Sequence, residues 1–221
     1  MINENFFQEY FHLLLRGKRE SCRIMVSGLT TDGIPVMEIY ESLFRRSLYQ
    51  VGEYWEMNRI SVATEHMATA ITESLMIDLQ PGLFAIERIG KKVILACVAN
   101  EYHQVGAKMI ADLFESKGWD SVFVGSSTPA GELIRMISHQ NPDLVGLSLS
   151  IFYNMPALRA SLKQIREAFP SLPVVLGGQA FRWGGAEMLH HFSKLYLIDN
   201  MKQLEDFIRS ASNQHGGLTR V

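Results

Sequence analysis

The sequence predicts an α/β protein: a four-helix bundle at the N-terminus, then a five-stranded, doubly wound parallel sheet. Three observations carry this. Apolar residues recur at spacings of three and four through residues 1–85. From residue 90 to 210, short apolar runs alternate with amphipathic stretches. Those runs lack polar alternation, the mark of strands covered on both faces.

FFQEYFHLLL reads as the first helix, RESCRIMVSGL as the second, PVMEIYESLFRRSLYQVGEYWEM as the third and SVATEHMATAITESLMIDL as the fourth. Gly17, the TTDG turn and Asn58–Arg59 break them. Pro35 suits the first turn of the third helix and Ser61 the N-cap of the fourth. Beyond QPGLFAIERIGKK the units become strand then helix: VILACVA with GAKMIADLFESKG, SVFVG with PAGELIRMISHQ, and LVGLSLS with MPALRASLKQIREAF. PVVLGG follows with a helix near Ala186–His191, then KLYLI with MKQLEDFIRSA. The expected strand order is flavodoxin-like, with ligands beyond the carboxyl ends of the strands. Residues 211–221, ending in HGGLTRV, read as a disordered tail.

Composition excludes several function classes. Hydrophobic residues make up 47% and charged residues 20%, with a formal net charge of -2. Lys and Arg are scattered, so no footprint for nucleic acid exists and no direct DNA contact is expected. Cys22 and Cys97 read as reduced thiols of a cytoplasmic protein. No signal peptide and no run long enough to span a membrane is read, so no membrane partner is expected.

The residues that carry chemistry fall on one edge of the expected sheet. NEYHQVG, residues 100–106, is the first strand-to-helix loop. His103 can offer a ring nitrogen to a metal while Glu101 holds the other nitrogen, fixing the tautomer. Gly106 leaves room for a bulky group at the start of the helix. Ser148 and Ser150 follow the third strand, and Gly177-Gly178 the fourth, leaving space and hydroxyls for a ligand. Each has a plainer reading: a first-turn acid, helix caps and tight turns. In the helical half, WEMNRISVATEH places Trp55, Val62, Glu65 and His66 around one helix–helix connection. There the plainer reading is a core tryptophan beside a solvated Glu-His pair.

Together these residues resemble the cobalamin-binding module, whose signature is D/E-x-H-x-x-G, a serine loop after the third strand and Gly-Gly after the fourth. Here they are Glu101-x-His103-x-x-Gly106, Ser148 with Ser150, and Gly177-Gly178. The resemblance covers nearly the whole chain, with residues 1–85 as a helical cap and 90–210 as a Rossmann-like domain. It implies His103 as lower cobalt ligand, Glu101 behind it, and the nucleotide tail among Ser148, Ser150, Gly177 and Gly178. Trp, nine residues, then Glu-His is similar to the adenosylcobalamin-dependent, light-responsive transcriptional regulators. In that family these cap residues contact the adenosyl group, which implies the same for Trp55, Val62, Glu65 and His66.

Two departures qualify the likeness. The sequence opens at the cap without a DNA-binding helix-turn-helix, so output is expected through homo-oligomerisation or a separate signalling protein. Glu56 follows Trp55 where that family often has a second cobalt-binding histidine. The expectation is a non-enzymatic, stand-alone adenosylcobalamin photoreceptor. The alternative is a corrinoid carrier of a methyltransferase system, which takes methylcobalamin. A subunit for radical rearrangement and a zinc site rank lower, and an additional bilin stays open.

Overall fold

In the computed structural model, residues 2–84 and 86–213 are described. They fall into two compact units, the first ending before residue 86.

The first unit is helical. α1 (Glu4–Leu15) starts where the Asn3 side chain accepts from the Phe6 amide, and it buries Phe7, Tyr10, Phe11 and Leu14. α2 (Arg19–Thr31) buries Cys22, Val26 and Leu29. The third helix differs from the single α-helix expected. α3 (Val36–Ile39) widens into a π-helical turn over Tyr40–Arg45 before α4 (Arg46–Glu56) resumes. Burial falls at 39, 40, 43, 44, 47 and 51, the same three-and-four spacing an α-helix gives, so periodicity cannot reveal the wider turn. Pro35 is the residue preceding this helix, with extended ψ. α5 (Val62–Leu83) is capped by Ser61, whose hydroxyl accepts from the Thr64 amide at 3.2 Å. It runs past the expected end at Leu79, with Pro81 inside. Pro81 forfeits only the bond to Ile77, a residue on the exposed face, so the helix survives.

The second unit is the expected doubly wound sheet. β1 (Lys92–Val98), β2 (Asp120–Thr128), β3 (Leu144–Ser148), β4 (Val174–Gly177) and β5 (Leu195–Leu197) pair in parallel in the order β2-β1-β3-β4-β5. α6 (Val105–Glu115), α7 (Ala130–Gln140), α8 (Met155–Ala168) and α9 (Met201–Asn213) are its helices. β1 and β3 are buried almost throughout, which their unbroken apolar runs require.

Three local expectations are corrected. β2 extends to Thr128 rather than Gly125, because bulges on either side of Ala96 let polar Ser126–Thr128 continue the pairing. The helix expected near Ala186–His191 is a 3-10 turn over Ala186–Leu189. The tail expected from residue 211 is helical to Asn213; Ala211 is buried and Ser212 accepts a bond from the Trp119 indole at 2.9 Å. The rest of that tail, 214–221, lies outside the described residues.

Candidate functional site

The carboxyl edge of β1 is where the second unit concentrates polar contacts. The chain leaves Val98 and turns sharply, with Asn100 left-handed at φ 65 and the Glu101 amide donating to the Val98 carbonyl at 3.0 Å. That turn aims the Glu101 side chain inward, where it is fully buried. Its Oε1 accepts from the His103 amide at 3.0 Å and lies 2.6 Å from His103 Nδ1. Its Oε2 accepts from the Ser150 and Ile151 amides, each at 2.8 Å, and from the Asn154 side-chain amide at 3.5 Å.

These donors decide the charge. Burial alone pushes a carboxyl up, but the His103 ring and the amides of Ile151, His103 and Ser150 outweigh it and bring Glu101 down to about 2. Glu101 is therefore ionised at neutral pH and can only accept, so His103 Nδ1 is the donor. In the neutral ring Nε2 then carries the lone pair. The His103 side chain is 57% exposed, so a buried anion orients an accessible imidazole. Among the described residues no group of three or more His, Cys, Asp or Glu converges as a metal set. The pair offers one protein ligand, which suits a metal that arrives with its other ligands already in place, as a corrinoid's does.

The neighbouring strand ends have several distinct causes. Ser148 closes β3 opposite Gly177. Its hydroxyl meets the Cys97 thiol, which burial, then Glu101, push up to about 12. Ser150 engages Glu101 through its backbone amide rather than its hydroxyl. Gly177 would tolerate a Cβ, whose nearest contact is the Ile198 carbonyl oxygen at 3.7 Å. Gly178 would not: at φ 113 a Cβ would lie 2.2 Å from the Leu149 carbonyl oxygen. The close approach of two loops requires that glycine whatever binds nearby. Gly106, in the first turn of α6, has nothing within 4 Å of a Cβ position, so space there is open.

In the helical unit, Trp55 lies in the last turn of α4 and Val62 begins α5, with Asn58 left-handed at φ 56 between them. Trp55 is 47% and Val62 51% exposed. Trp55 is thus not a core residue. Glu65 and His66 are a bonded pair, Oε2 to Nδ1 2.5 Å, and the Thr69 hydroxyl donates to the other Glu65 oxygen.

Two polar residues escape a reading of the sequence. Asn154 stands at the N-cap of α8 without a side-chain cap bond; its amide instead donates to the Asn100 carbonyl at 3.0 Å and reaches Glu101. Ser127, at the end of β2, bonds the segment on which Glu101 sits. An Asn before Met-Pro reads as a cap, and a Ser in Ser-Ser-Thr-Pro as a turn, so neither signals its partner across the sheet edge.

A doubly wound sheet with a ligand-accepting carboxyl edge, preceded by a helical unit, defines the class. The B12 binding domain family matches residues 91–198, and a second family of the same description matches residues 7–79. The chain is 29% identical over 151 residues to the HTH-type transcriptional repressor CarH of Myxococcus xanthus, covering 67% of this chain and 50% of that protein. It thus spans about half the length of that relative. It is 23% identical over 184 residues to dimethylamine corrinoid protein 1 of Methanosarcina acetivorans, covering 80% of this chain and 85% of that one. The monomethylamine corrinoid protein of Methanosarcina barkeri shares the fold, with a TM-score of 0.78 at 14% identity over 93% of this chain and 97% of that one. The chain belongs to the B12 binding domain family, and cobalamin binding is its biochemical property.

Proposed function

We propose that the protein is an adenosylcobalamin-dependent light sensor, signalling through a change in an oligomeric or partner interface. When bound, the cofactor supplies cobalt and a weak, light-labile bond to its upper organic ligand. The chain's residues do the rest. His103 would offer Nε2 to the metal, and Glu101 holds the proton on Nδ1 so that Nε2 keeps its lone pair. Gly106 leaves room beside α6, and Ser148, Ser150, Gly177 and Gly178 are assigned to the nucleotide tail. Trp55, Val62, Glu65 and His66 are assigned to the upper ligand, whose loss would remove contacts that favour one of two states.

The observation that carries this reading is the pairing of two constellations in one chain. The oriented Glu101–His103 pair stands in one unit, and an exposed tryptophan and a bonded Glu65–His66 pair in the other. The similarity to a transcriptional repressor supports a regulatory output.

A second reading, a corrinoid carrier for a methyltransferase, is favoured by the 85% coverage of dimethylamine corrinoid protein 1. A carrier needs its upper face accessible to a partner enzyme, whereas the assignment of Trp55 to the upper ligand would close that face. One experiment separates them: dark absorption spectra with adenosylcobalamin and with methylcobalamin, repeated after green light, with size-exclusion chromatography of each sample. The sensor reading expects preference for the adenosyl form and a light-dependent shift in elution. Methylcobalamin preference, with no change in elution on illumination, contradicts it and favours the carrier.

A further inference from the structure

The bulged end of β2 poses a question the cofactor assignment leaves unanswered. Between the pairs Ala96–Gly125 and Val98–Thr128, β2 carries one residue more than β1. The surplus falls at Ser126–Ser127, and Ser127 takes a left-handed φ of 47, uncommon for a residue with a Cβ. Such an outlier persists only where surrounding bonds fix it, and bulges beside functional sites re-aim what they carry.

The bonds are specific. Ser127 Oγ accepts from the Asn100 amide at 3.0 Å, and the Ser127 amide donates to the Glu101 carbonyl at 2.8 Å. The remaining backbone groups of that dipeptide are also engaged: the Asn100 carbonyl by Asn154, and the Glu101 amide by Val98. Asn100 is itself left-handed, so two left-handed residues on adjacent strand ends hold each other. Neither bond reaches the imidazole. Both fix the backbone from which the buried carboxylate is aimed at His103 Nδ1.

We propose that Ser127 is a positioning residue for the Glu101–His103 pair: its hydroxyl and amide hold Asn100 and Glu101 so that the carboxylate keeps the proton on Nδ1 and Nε2 outward. The inference rests on the reading of His103 as the cobalt ligand. Its physical content, a hydroxyl that fixes a histidine tautomer, is measurable without any cofactor. Loss of the acceptor leaves the Asn100 amide without its partner and lets the turn relax, and the 2.6 Å carboxylate–imidazole bond tolerates little displacement.

The test uses the full chain in four forms: wild type, Ser127→Ala, Ser127→Gly and Ser127→Asn. Gly removes the hydroxyl while favouring the left-handed backbone. Asn tolerates that backbone and restores an acceptor. Imidazole 15N shifts of the cofactor-free protein, assigned with His103→Gln, report the Nδ1–H to Nε2–H ratio of His103. That ratio is expected to fall about threefold to tenfold in the Ala and Gly forms and to return in the Asn form. With cobalamin added, the dissociation constant should rise about 3- to 10-fold in the Ala and Gly forms, less than the 10- to 100-fold typical of a direct partner of a metal ligand. A lower melting temperature in all three variants with an unchanged tautomer ratio overturns the proposal, since a merely structural serine gives that result. A wild type that takes up no cobalamin defeats the cofactor assignment instead, and the tautomer ratios still decide the role of Ser127.

Discussion

Glu101 is where chain geometry and electrostatics meet, since five donors from two loops converge on one buried carboxylate. Its folded value of about 2, against an ordinary 4.5, is a statement about stability. A depressed carboxyl stabilises the fold above its ordinary value, and the contribution is lost as pH falls through the folded value. The difference corresponds to about 3 kcal/mol at neutral pH. Glu101→Gln should therefore lower the urea stability of the cofactor-free protein by about that much at pH 7. The gap between the two proteins should close as pH drops from about 4.5 towards 2. A gap of constant size would mean that lost hydrogen bonds, not charge, set the cost. The two thiols give a second residue-scale prediction. Burial pushes Cys22 up to about 11, and burial together with Glu101 pushes Cys97 up to about 12, and both side chains are inaccessible. At pH 8 an aromatic disulfide reagent should titrate neither in the native protein and both after unfolding. Much of this site was legible at the level of single residues, because Glu101 and His103 lie two apart on one loop. Asn154 and Ser127 were not, because their partners lie 54 and 27 residues away and only the folded sheet edge brings them together.

Among the elements, the glycines of the β–α loops separate fold from ligand. Gly178→Ala should destabilise the protein by about 3 kcal/mol or more, because neither the Leu149 backbone nor the positive φ can yield. Gly106→Ala has the opposite expectation: a Cβ in open space on a helix should stabilise by up to about 1 kcal/mol. If a bulky group approaches there, that same variant should weaken cobalamin binding while its melting temperature rises. Unchanged affinity would remove Gly106 from the site. The strands and their order followed from unbroken apolar runs alternating with helical periodicity, and here sequence and structure agree. They diverge where the pattern is degenerate. The π turn keeps a helical burial spacing, Ser126–Thr128 are polar yet paired, and α9 outruns its last apolar residues because Ser212 anchors to Trp119.

At the scale of the whole molecule, the chain falls into two compact units, and no helix among the described residues is long and apolar enough to cross a membrane. Its 21 basic and 23 acidic residues are interspersed, so the chain by itself should not retard duplex DNA at physiological salt. Retardation that weakens steeply with salt would reveal a basic surface that the composition does not show. The central claim is that this chain binds cobalamin through His103, displacing the corrinoid's own base. Electron paramagnetic resonance of the bound, one-electron-reduced cofactor tests it most directly, because the axial nitrogen splits the cobalt lines. In protein labelled with 15N-histidine, the account predicts that the threefold nitrogen splitting becomes twofold, and that Glu101→Gln reduces the fraction showing it. A threefold splitting that survives labelling would mean that the cofactor keeps its own base and that His103 is not the ligand.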